Sequence, residues 1–242
     1  MNDNISAFNT MEYNTKIKQT LPYYDEFYKQ VIELVKTFHS GAVRWLDVGC
    51  GTGKMGSVAF ENVALEKFVF SDCSEKMIKI VKERFDFENT EFVVCDAKEL
   101  DYVNEFDVIT AIQVNHYMNE TSRKAALMKY YAALKNNGLF ISFENFAPFT
   151  DLGKSIYLER WKRYQLEQGK TVSEIQILLY RSILLEDSLG VSRKSFIYNA
   201  KSVFFSSYHC LCLTGYRIAL VSAVDADKLP VKVMYAIEKT AK

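Results

Sequence analysis

Nine residues constrain this chain more than any others: Leu46-Asp47-Val48-Gly49-Cys50-Gly51-Thr52-Gly53-Lys54. They close a short apolar strand, read from Val43 to Val48, and open a helix read from Lys54 to about Glu66. Three glycines alternate at 49, 51 and 53, directly after the strand. Glycine lets a backbone turn tightly and lets a ligand approach it closely. The helix start beyond adds oriented N–H groups. One glycine there would read as a plain strand-to-helix turn; three in alternation read as a ligand loop.

The rest of the first 150 residues repeats strand and helix. Apolar positions at helical spacing from Leu21 to Phe38 predict a helix, ended by Gly41. Strands are read at Phe68–Phe70, Phe92–Val94, Asp107–Ala111 and Leu139–Phe143. Helices lie between them: one capped by Ser74 and reaching Phe85, another from Thr121 to Leu134 and closed by Asn136-Asn137-Gly138. Alternation of this kind predicts an α/β fold, a doubly wound and mostly parallel sheet. In such sheets ligands bind at the carboxyl ends of the strands. Chemistry is therefore sought just after Val48, Phe70, Val94, Ala111 and Phe143.

The alternation breaks at Pro148. Residues 151–187 read as helices, with a capping box at Thr171-Val172-Ser173-Glu174. We read 151–200 as a helical lid inserted in a single domain spanning 1–242. Between Ser202 and Val224 the only formal charge is Arg217. Serines, His209, Thr214 and Gly215 dilute this run, which reads as a buried helix and then a buried strand and not as a membrane span. Arg217–Val224 and Val231–Ile237 read as closing strands, antiparallel if they pair directly.

Composition narrows the class. Thirty Lys and Arg balance thirty Asp and Glu, so a basic nucleic-acid coat is excluded as the main design. Aromatic content of 14% excludes a disordered chain. The five cysteines (Cys50, Cys73, Cys95, Cys210 and Cys212) form no CxxC, so they read as reduced thiols and not as a disulfide framework. No metal site is expected, because His209-Cys210-Leu211-Cys212 lacks a second half-site. The polar N-terminus does not read as a signal peptide. A cytoplasmic location follows as an expectation.

Two acids follow strand ends in order. Asp72 comes nineteen residues after Gly53, where an acid can bind ribose hydroxyls in nucleotide folds. Asp96, in Cys95-Asp96-Ala97, comes after the next strand, where a carboxylate can accept from an adenine amino group. Either acid alone is more often a helix cap or a solvated turn; the order of all three features at successive strand ends is what points to a ligand. At this point the sequence resembles the class I S-adenosylmethionine-dependent methyltransferases. LDVGCGTGK is similar to the family's first motif, and FSDCSEKMI, from Phe70 to Ile78, to its second. VVCDAKEL resembles the adenine-contacting stretch. FDVITAIQVNHYM and ALKNNGLFISFENF resemble the fourth and fifth strand regions. The likeness covers about residues 8–150 well and the ending more loosely.

The resemblance implies a Rossmann-like, seven-stranded sheet whose last strand inserts antiparallel, with S-adenosylmethionine as cofactor. By position, it implies that Asp47, Gly49, Cys50, Gly51 and Gly53 border the methionine end. Asp72 would hold the ribose, with Cys73 and Met77 near the adenine and Asp96 and Ala97 at its edge. Gln113 would line the cofactor through its backbone, and Tyr13 belongs to a covering N-terminal segment.

A methyl transfer needs a base only when the acceptor must lose a proton. His116, after the fourth strand, is the candidate base; the other reading makes it a pocket wall. Glu144 and Asn145 are candidate acceptor contacts. Tyr24, Trp161 and Tyr164 read as core packing. A small-molecule acceptor is expected, with no nucleic-acid partner and no membrane. Three alternatives remain open: an RNA- or protein-modifying methyltransferase, a non-catalytic cofactor-binding protein, and a nicotinamide-dependent oxidoreductase. Gly51-Thr52-Gly53-Lys54-Met55-Gly56 fits GxGxxG, a weak signal by itself.

Overall fold

The computed structural model describes residues 13–144, 151–177, 207–213 and 216–222. In chain order the elements are α1 (Tyr13–Thr20), α2 (Tyr24–Phe38), β1 (Val43–Val48), α3 (Lys54–Asn62), β2 (Leu65–Asp72), α4 (Glu75–Arg84), β3 (Thr90–Val94), β4 (Phe106–Ile112), α5 (Glu120–Ala133), β5 (Leu134–Glu144), α6 (Asp151–Glu167), β6 (Ser207–Leu213) and β7 (Tyr216–Ser222).

The strands form one sheet in the order β3-β2-β1-β4-β5-β7-β6. The first five run parallel. β7 lies antiparallel between β5 and β6. Central strands such as β1 (VRWLDV) are buried almost throughout because both sheet faces are covered. On one face, Phe27, Val31 and Val35 of α2, Met55 and Ala59 of α3, and Val81 of α4 pack on Trp45, Phe68 and Phe70. On the other, Ala126, Leu127 and Tyr130 of α5 pack on Leu46, Ile109 and Phe140. The expected α/β, doubly wound architecture is present.

Capping follows the sequence closely at α4. Ser74 accepts from the Met77 N–H, as an N-cap side chain does. The capping box at Thr171 is reciprocal: Thr171 Oγ1 accepts from Glu174 N at 3.3 Å, and Glu174 Oε2 accepts from Thr171 N at 2.8 Å. α6 lies against α1 and satisfies its terminal carbonyls, which have no partner inside the helix. Trp161 Nε1 donates to Thr20 O at 2.6 Å, and Tyr164 Oη donates to Lys18 O at 2.7 Å. Trp161 is buried, as expected of a packing residue.

Three boundaries differ from expectation. The α3 helix ends at Asn62, since Leu65 and Glu66 already belong to β2. Asn136-Asn137-Gly138 does not close α5. β5 starts at Leu134, which pairs with Phe106, and the irregular register next to it accommodates Asn137 at φ 65°. The stretch read as a buried helix before Gly215 is instead strand β6, so His209 is a strand residue. Val231–Ile237, and residues 178–200 of the expected lid, lie outside the described residues. No helix of the described residues is long and apolar enough to cross a membrane.

Candidate active site

The strand order reverses between β1 and β4. Helices α3 and α4 return the chain on one face, and α5 returns it on the other. Open α/β sheets bind ligands outside the carboxyl ends of the strands at this reversal. The glycine loop after β1 and the 3-10 turn Asn115–Tyr117 after β4 both stand there. They are in contact: a Cβ on Gly49, whose φ is 62°, would lie 2.5 Å from Val114 Cγ2. Gly51 differs, because a Cβ there would meet nothing within 4 Å. Its backbone borders open space, the cradle that a closely approaching ligand needs.

Asp72 ties this loop to the next helix. Its Oδ2 accepts from Gly51 N at 2.9 Å and its Oδ1 from Ser74 N at 2.9 Å. A third support was not legible in the sequence. The Arg84 guanidinium, in the last turn of α4, donates to Thr52 O and to Ser57 Oγ, the latter at 3.1 Å. A basic residue ending a helix ordinarily serves its own helix dipole, so nothing in the sequence pointed to the loop.

Asp47 is a buried acid beneath the glycine loop. Thr110 Oγ1 donates to its Oδ1 at 2.7 Å, and Trp45 Nε1 donates to Thr110 Oγ1 at 2.9 Å. Burial pushes the Asp47 carboxyl up to about 7; the Thr110 bond lowers it and the Asp72 charge raises it again. Cys50 is buried beside these acids, and burial first, then their charges, pushes its thiol well up. It is a packing group and no nucleophile.

The residues expected beside the adenine follow β2 and β3: Cys73 with Met77 in the first turn of α4, then Asp96 and Ala97. Met77 and Ala97 are buried, and Cys73 is exposed. Asp96 caps the 3-10 turn Ala97–Glu99 through Lys98 N at 3.2 Å and pairs with Lys98 Nζ at 3.0 Å. Gln113 takes a left-handed φ of 60° and bonds Phe143 O through both its backbone N, at 2.7 Å, and its Nε2, at 3.1 Å. It therefore latches the end of β4 to β5. Tyr13 opens α1. Asn145 lies outside the described residues.

His116 stands in the 3-10 turn after β4, and Glu144 ends β5 beside it. His116 Nδ1 is 2.7 Å from Glu144 Oε2, which also accepts from His116 N at 3.1 Å. Glu144 Oε1 accepts from Asn115 N at 3.0 Å, from Asn115 Nδ2 at 2.9 Å and from Ser142 Oγ at 2.7 Å. Glu144 is thus saturated and buried, which corrects the expectation that it touches an acceptor. Arg123, also buried, holds the turn from α5 by donating to Asn115 O at 3.3 Å and Met118 O at 2.8 Å. Tyr117 packs on the His116 ring with centroids 4.1 Å apart. Burial, with the Glu144 charge, pushes its phenol up to about 12, so it is wall and not base. Among the described residues no cluster of three His, Cys, Asp or Glu is placed to hold a metal ion.

This geometry has known counterparts. Residues 46–138 match the family profile described as a methyltransferase domain. A carboxy-S-adenosyl-L-methionine synthase of Helicobacter hepaticus is 25% identical over 170 residues, 67% of this chain and 71% of its own. A ubiquinone/menaquinone biosynthesis C-methyltransferase of Desulfotalea psychrophila is 25% identical over 116 residues, 48% of this chain and 46% of its own. In fold, the chain is similar to the N-methyltransferase NodS of Bradyrhizobium japonicum solved with S-adenosyl-L-homocysteine, with a TM-score of 0.54 at 12% identity over 88% of this chain and 98% of NodS. The open face at Gly51 and the acids at successive strand ends fit the same cofactor. In motifs, sheet order and relatives this chain is similar to the class I S-adenosylmethionine-dependent methyltransferases, and residues 46–138 match their domain.

Proposed function

We propose that the enzyme transfers the methyl group of S-adenosylmethionine to a small-molecule acceptor, releasing S-adenosylhomocysteine, and that His116 takes the acceptor's proton. The observation that carries this reading is the His116–Glu144 pair at the end of β4, in the turn that touches Gly49. The balanced charge of the chain supports a small acceptor. So does the quinone-pathway name of one relative.

When bound, the cofactor supplies an already activated methyl on a sulfonium, so the protein mainly positions and shields. Asp47 and the glycines at 49, 51 and 53 hold the methionine end, with Asp47 facing the ammonium. Asp72 holds the ribose. Met77, Cys73, Ala97 and Asp96 border the adenine. Gln113 keeps the end of β4 in place through Phe143 O. Tyr13, on α1, belongs to the cover.

The test is incubation of the purified protein with S-adenosylmethionine and panels of phenols, alcohols, amines and carboxylic acids. Mass spectrometry reads S-adenosylhomocysteine and the methylated product. His116→Asn should lower turnover strongly while leaving cofactor affinity unchanged. A second reading comes from the carboxy-S-adenosyl-L-methionine synthase relatives, each spanning about two thirds of this chain. In that case the product is a carboxylated form of the cofactor, heavier than S-adenosylmethionine, and no S-adenosylhomocysteine accumulates.

A further inference from the structure

We propose that Glu144 is a positioning residue that fixes His116 as its Nδ1–H tautomer, and that the site is thereby built for acceptors that must surrender an O–H or N–H proton. This rests on the reading of His116 as the base. Glu144 Oε1 takes three donors, Asn115 N, Asn115 Nδ2 and Ser142 Oγ, and its Oε2 takes His116 N. A carboxylate so surrounded is an acceptor only, so the proton in the 2.7 Å contact belongs to His116 Nδ1. The lone pair then sits on Nε2, which has no hydrogen-bond partner among the described residues. Which ring nitrogen carries the proton is set by the bond that the other side of the ring makes.

The step balances simply. The acceptor's X–H bond breaks and its electron pair stays on X; the X–CH3 bond forms as the S–CH3 pair returns to sulfur. The proton ends on Nε2, and the resulting imidazolium faces the buried Glu144 charge. A carboxylate acceptor carries no proton and would leave this pair without a task.

Replacing Glu144 by Gln tests the assignment. Oε1 faces three donors and Oε2 faces His116 N and Nδ1, so the amide oxygen keeps the Oε1 place and its NH2 faces His116 at the cost of the one bond from His116 N. The NH2 then donates to Nδ1 and drives the ring to its Nε2–H tautomer. The measurement is 15N side-chain NMR at about pH 9, where histidine is ordinarily neutral. The chain has three histidines, and His116→Gln identifies the His116 signals by their loss. We expect Nδ1–H in the wild type, with cross-relaxation to the Glu144 methylene, and a switch to Nε2–H in Glu144→Gln. An Nε2–H wild type overturns the proposal, whether or not the variant folds. So does a folded Glu144→Gln that keeps Nδ1–H. Calorimetric binding of S-adenosylmethionine to the same samples is a separate readout: wild-type protein that binds it but shows Nε2–H sinks only this inference, whereas loss of binding in the wild type sinks the methyltransferase reading itself.

Discussion

Gly49 and Val114 meet across the strand reversal: the missing Cβ of one would lie 2.5 Å from a methyl of the other. The contact joins the glycine loop after β1 to the turn that carries His116. Gly49 also sits at φ 62°, which L side chains adopt at a cost of about 1–3 kcal/mol. Gly49→Ala should therefore lower the thermal midpoint by several degrees and weaken S-adenosylmethionine binding at least about tenfold. Thermal denaturation and calorimetry read the two effects separately.

Asp72 bridges Gly51 N and Ser74 N, so its removal strikes the loop and the expected ribose contact together. Asp72→Ala should weaken cofactor binding by about 10- to 100-fold, the scale of one or two lost charge-assisted bonds. Affinity within twofold of wild type would show the ribose to be placed wrongly.

Burial holds the Asp47 carboxyl at about 7, up from 3.8. Between those values the folded chain keeps a proton that the unfolded chain has released. This group therefore favours folding at low pH and loses that advantage as pH rises through about 7. Asp47→Asn should remove this decline, so its gain in thermal midpoint over wild type should grow from pH 4 to pH 7. In the proposed site the cofactor's ammonium faces Asp47 and is held by its anionic form. Wild-type affinity should fall as pH drops below about 7, by up to about tenfold per unit, and the slope should vanish in Asp47→Asn.

Gly56, one turn into α3, lies under the Phe70 ring so closely that an added Cβ would overlap it. Alanine is the better helix former by about 1 kcal/mol. Overlap in a packed core costs about 1–3 kcal/mol, so the clash prevails. Gly56→Ala should lower the thermal midpoint by about 2–4 °C.

The strand ends that border the candidate site were legible because β1 to β4 are apolar runs; Gly49, Asp72 and Asp96 mark the ends of the first three, and Gln113 follows the fourth. Asp47, Asp72, Asp96 and His116 stand where those runs end. The α1 helix escaped notice because YNTKIKQT has almost no apolar stripe of its own, and α6 supplies the partners for its terminal carbonyls. The β6 strand was mistaken for helix because a short diluted apolar run looks the same in either state. Asn136-Asn137-Gly138 reads as a turn in one dimension, yet the pairing of Leu134 with Phe106 keeps it in a strand. Glu144 shows the deepest limit. Its position after Phe143 was plain, but its role depends on five donors on three residues, Asn115, His116 and Ser142.

The central claim is tested most directly by calorimetric titration of the purified protein with S-adenosylmethionine, S-adenosylhomocysteine and NAD. The account predicts micromolar binding of the first two and none of NAD. Binding of NAD alone, or of none of the three, would contradict it.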